Sequence, residues 1–144
     1  MRSVDARPRA GPGPRIVAGA AGVGLVGSGA WAFLFPGSFY ETLATFPPPN
    51  VHLLRDIGAF LIGLGAVLVF SLAWSDALLA GLAGVAVGSA LHLVSHVVDL
   101  DRGGSPVRDL VLLSLLTAAL AGGAALRWGE LRQRDARQVG DGGP

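Results

Sequence analysis

The chain has three histidines in 144 residues, and all of them lie in or beside apolar stretches. His92 and His96 are four residues apart, which puts both imidazoles on one face of a helix at 3.6 residues per turn. That spacing can chelate one ion, and His52 or an Asp could complete a His/carboxylate set for Zn, Fe or Cu. A haem held by two histidines would need His52 or a second chain, because imidazoles on one helical turn cannot take opposite axial positions. Arg55, close behind His52, could hold a carboxylate in its ionised form or bind an anionic group. The His-x-x-x-His lacks the Glu that metalloproteases carry between their histidines.

The competing reading of the same residues is structural, and it is our first choice from the sequence. Asn50, His52, Arg55, Asp56, His92, His96 and Asp99 then form one polar cluster. Arg55 pairs with Asp56 or Asp99, the histidines bond across helices, and the network sets the register of a bundle. A third reading, a path for a proton or small anion, asks four spans to work as an oligomer. Other chemistries have no support. There is no cysteine, so thiolate ligands, disulfides and Cys nucleophiles are excluded. No strand precedes the glycines at 19, 22, 24, 27 and 29, so they form no nucleotide loop. A formal charge of +1 argues against a nucleic-acid partner.

The elements that must hold these residues are apolar helices. Only 15% of the residues are charged, against roughly 25% in a soluble domain. Apolar runs at 16–35, 51–74, 77–98 and 107–126 are long enough to cross a bilayer core as helices. They predict an all-α, four-span membrane domain over residues 16–128. A disordered basic tail at 1–15 and a disordered tail at 129–144 flank it. Ala30-Trp31-Ala32 looks like a signal-peptidase site, but the apolar run continues through Phe33-Leu34-Phe35, so an uncleaved helix is expected. Phe39, Leu43 and Phe46 share a face, with Tyr40 beside them, and suggest a short amphipathic piece in the headgroup region. Ser75-Asp76 is expected to turn the chain between spans two and three. Arg108 and Asp109 read as the polar start of span four.

The two tails, together with Arg127 just after span four, hold eight of the eleven arginines, which predicts cytoplasmic termini in a cell (inner) membrane. The lipid bilayer is then the first partner, with a second copy or another membrane protein as further ones. Small residues predict the contact faces. In span two, Ala59 and Gly63 continue the face of His52, Arg55 and Asp56. In span three, Gly84-x-x-x-Gly88 adjoins the face of Ser89, His92 and His96. In span four, Ser114, Ala118, Ala121 and Ala125 line up.

From Asn50 to Ala59 the sequence resembles a group of small actinobacterial membrane proteins. These carry Asn-x-His-Leu-x-Arg-Asp-x-Gly-Ala ahead of their second helix and a His-rich third helix. Asn50, His52, Leu53, Arg55, Asp56, Gly58 and Ala59 stand at those places, with His92 and His96 in span three. The group is loosely similar to DoxX-like four-helix proteins. The resemblance implies four helices and an inner-membrane home, and supplies no established activity.

Overall fold

The computed structural model describes residues 10–74 and 77–141. In chain order its helices are α1 (Pro12–Leu34), α2 (Pro36–Thr42), α3 (Val51–Ser71), α4 (Leu78–Val98) and α5 (Pro106–Asp141). Among the described residues there is no strand, and four helices are long and apolar enough to cross a membrane. The expected all-α, four-span fold is the one observed. Residues 1–9 and the expected turn at Ser75-Asp76 lie outside the described residues.

Prolines and one asparagine set the helix starts. α1 begins at Pro12, inside the segment expected to be a tail, with Pro14 also in its first turn. Proline is tolerated there because the first N–H groups of a helix have no intrahelical acceptor. Pro36 opens α2 on the same principle, directly after α1 ends. Asn50 caps α3, its side-chain oxygen accepting from the Leu53 N–H at 3.1 Å.

Glycine decides how α1 meets α3. The two run antiparallel, and their buried positions are Pro14, Ala18, Gly22, Gly29 and Ala32 against Leu54, Gly58, Gly65, Leu68 and Ser71. A Cβ placed on Gly29 would stand 2.6 Å from the Gly58 carbonyl oxygen, and one on Gly58 2.7 Å from that of Gly29. Gly22 and Gly65 repeat the arrangement at 3.0 and 2.6 Å. The glycines are seven residues apart on each helix, so the backbones touch at two levels about 10 Å apart. Such close approach gains dispersion contact that any side chain would prevent.

The expected contact faces of the other small residues are not the observed ones. Ala59 and Gly63 are exposed on the outside of α3, and a Cβ on Gly63, Gly84 or Gly88 would meet nothing within 4 Å. Ser114, Ala118, Ala121 and Ala125 are exposed as well, while α5 buries Asp109, Leu120, Gly123 and Arg127. Small residues permit close approach without requiring it. The buried face of α5 follows its ionic side chains, which cannot be left in lipid.

α5 also corrects the expected C-terminal tail. Its 36 residues continue as helix well past Leu126, to a length of about 54 Å against the ~30 Å of a bilayer core. The extension is rich in good helix formers (Arg, Glu, Leu, Gln) and carries an Arg127–Glu130 pair on one face, at 2.9 Å. The start of α1, the end of α3 and the C-terminal part of α5 share one end of the bundle, where Arg15 donates to the Leu72 carbonyl at 3.2 Å. α2 and the α4–α5 loop occupy the far end.

Candidate functional site

At the far end, α2 does not lie flat on the outside. Phe39 is buried against Trp31, the rings edge to face at 5.3 Å, and Phe39, Leu43 and Phe46 all point inward. They close one end of a cavity of about 340 Å³ between α1, α3, α4 and α5. Its walls are mostly apolar, with Leu25, Ile57, Leu61 and Leu116 among them, and its polar groups include His92, His96, Asp109 and Ser89. The amphipathic face of α2 is thus satisfied by the bundle itself.

The ionic centre of this end is Arg108–Asp109. Asp109 is buried, and its Oδ1 takes the Arg108 Nε and Nη2 groups, each at 2.9 Å. Oδ2 accepts the Ser105 N–H at 2.8 Å, which ties down the start of α5. Arg108 also donates to the carbonyls of Thr42 and Leu43, both at 2.8 Å. Those carbonyls belong to the C-terminal end of α2, where intrahelical donors run out and a cation is favoured. One guanidinium therefore fastens α2 to α5. Nearby, Gly103 and Gly104 take φ of 137° and 77°, and the Gly104 N–H bonds to the Thr45 carbonyl at 3.1 Å. A Cβ on Gly104 would stand 2.7 Å from the Phe46 ring, so this loop requires glycine there.

His92 and His96 are brought together as their spacing predicts. Their Nε2 atoms are 3.0 Å apart, and the rings lie nearly parallel at 11°, with centroids 4.9 Å apart. One proton can sit between the two nitrogens, but two cannot, so one ring nitrogen faces the other with a bare lone pair. The edge of Phe46 packs on His96 at 5.4 Å. On the opposite side of the His96 ring, Nδ1 looks toward Asp109 Oδ2 at 3.9 Å, close but beyond a hydrogen bond. Deeper in the cavity wall, Ser89 and Thr117 satisfy each other at 2.8 Å.

The remaining members of the predicted cluster are elsewhere. His52 pairs with Asp56 at 3.4 Å on the outside of α3, with side chains 88% and 50% exposed. Arg55 is exposed beside them. Asp99 faces Arg102 at 3.4 Å in the α4–α5 loop, and Asn50 is occupied as a cap. The single cluster is in fact three separate groups, because α3 turns Gly58 and Gly65 to α1 and so carries His52 and Asp56 outward. Among the described residues no group of three or more His, Cys, Asp or Glu converges as metal ligands. Neither Arg108 nor Asp109 was assigned to the site from sequence. The available signal was Ser105-Pro106 followed by an acid in the first turn, a helix start whose acid reaches back to a free N–H.

No family model, no curated protein and no solved structure matches the chain.

Proposed function

We propose that this is an accessory integral membrane protein that shelters a small, mostly apolar molecule with one hydrogen-bonding end. The observation that carries the reading is the cavity between α2 and the four spans. It has apolar walls and a histidine pair at one end, and its volume falls within the range of small-molecule sites. The neighbouring polar groups are already committed: Arg108 to α2 and Asp109, Asp109 to Ser105, and Ser89 to Thr117. That leaves Ser28 and the His92–His96 pair, whose mutual bond a ligand's polar end would replace. The Arg108–Asp109 network serves as scaffold, which is the role the sequence suggested for its polar residues in general. The arginine distribution supports cytoplasmic termini in a cell membrane, with the cavity toward the outer face.

The test is to purify the protein in mild detergent and identify what is extracted with it by mass spectrometry. Gly88 lines the cavity and has open space where a side chain would go. Gly88→Leu should therefore fill the cavity, keep the melting temperature, and lose the co-purifying molecule. An extract identical in the two proteins would refute the reading. A metal-linked role is the second reading, and the observation in its favour is the geometry of the histidine pair.

A further inference from the structure

We propose that His92 and His96 form a two-histidine site for a divalent transition-metal ion, with Asp109 orienting His96 from behind. The inference concerns the imidazoles and stands whether or not the cavity holds an apolar molecule.

Three features converge. First, metal–imidazole bonds are about 2.0–2.1 Å, so two nitrogens on one tetrahedral ion are separated by about 3.3 Å. The observed 3.0 Å between the Nε2 atoms is close to that value, and the rings, now at 11° to each other, would turn so that both lone pairs converge on one ion. Second, metal-bound histidines characteristically give their other N–H to a carboxylate, which sets the tautomer and the ring direction. Asp109 Oδ2 stands at 3.9 Å on the Nδ1 side of His96, opposite the side that faces His92. Arg108 and the Ser105 N–H hold that carboxylate in place, so it favours His96 with its proton on Nδ1 and its lone pair on Nε2. Third, both histidines line the cavity, which leaves the remaining coordination positions open to water or a small ligand. Binding would displace the shared Nε2 proton, which His92 can carry on Nδ1 instead. His52, exposed on another helix face with Asp56, takes no part.

Cu²⁺ is the most sensitive probe, because imidazole sites bind it more tightly than other first-row divalent ions. The full chain, without a His tag or chelator, would be titrated with Cu²⁺ in detergent and followed by electron paramagnetic resonance. We expect one Cu²⁺ per chain with a two-nitrogen signature, and displacement by excess Zn²⁺. H92A and H96A should each weaken binding at least a hundredfold while melting normally without metal, and H52A should bind as the parent does. D109N should keep the stoichiometry and weaken binding roughly 10–100-fold. D109E, which retains the carboxylate, should fall between them and covers the case in which D109N folds poorly. Failure to bind Cu²⁺ below about 100 µM would overturn the site, as would binding indifferent to H92A or equally sensitive to H52A. Binding unchanged in D109N would remove Asp109 from it.

Discussion

Arg108 reaches acceptors on two elements, the Thr42 and Leu43 carbonyls of α2 and the Asp109 carboxylate on its own helix. A lysine offers one point of charge where this site needs a planar fork, so Arg108→Lys should not restore the contacts. Asp109→Ala removes the buried acceptor and leaves both the guanidinium and the Ser105 N–H without it. That change should cost about 3 kcal/mol, as for other broken buried pairs, and should appear as a lower melting temperature in detergent. The His52–Asp56 pair makes the instructive contrast. It is a contact of 3.4 Å between well-exposed side chains, and such pairs contribute about 0–1 kcal/mol. Asp56→Asn should leave the melting temperature unchanged, and a large drop would mean that this face of α3 is covered in the working protein.

The antiparallel α1–α3 pair depends on the absence of side chains at two levels. Gly29→Ala and Gly58→Ala would each push a methyl to within 3 Å of the opposing backbone. The helices must then separate, at a cost of roughly 1–3 kcal/mol as in other overpacked interfaces. Gly63→Ala and Gly84→Ala have open space at the same atom, and the helix propensity of alanine favours them by up to about 1 kcal/mol. Melting curves of the four variants should fall into two groups, the first destabilised and the second unchanged or raised. Equal destabilisation in both groups would contradict the glycine contacts between α1 and α3. The seam between α3 and α4 is looser: Gly81 and Gly84 line a second crevice there, beside Leu64 and Val67. α4 therefore packs chiefly on α5, and the bundle is built as two helix pairs joined around the cavity.

At the end where α1 begins, one carboxylate ties α1 to α5. Both oxygens of Glu130 accept from the Gly11 N–H at 3.2 Å, across 119 residues of sequence, and Oε2 also takes Arg127 at 2.9 Å. Glu130 lies beyond the apolar part of α5. Partial burial works against its charge, but the Arg127 guanidinium, the Gly11 N–H and nearby Arg134 outweigh it and hold the carboxyl below its ordinary value of 4.5. A depressed carboxyl stabilises the fold above the unfolded value, and that contribution fades as pH falls through the lower, folded one. Acidification below about pH 4.5 should therefore release the start of α1 from α5. Glu130→Gln should do so at neutral pH. Hydrogen exchange at the first turn of α1 would report both effects, and exchange that is indifferent to pH and to the substitution would count against the contact.

Which runs are apolar enough to cross a membrane is a local property, so the four spans were legible from the chain alone, whereas the start of α1 at Pro12 was not. The pairing of His92 with His96 was legible for the same reason, since four residues on one helix share a face whatever surrounds them. Which face of α3 would be buried was not. Both Gly58/Gly65 and Ala59/Gly63 offer small residues at plausible spacing, and the choice depends on where Gly22 and Gly29 sit on a different helix. That choice sent His52, Arg55 and Asp56 to the outside and left the histidine pair without them. Arg108 and Asp109 became central only because folding brings the end of α2, some 65 residues away, against the start of α5. A carbonyl with no intrahelical donor has no signature in sequence, and its partner can be recognised only once the chain has closed around it.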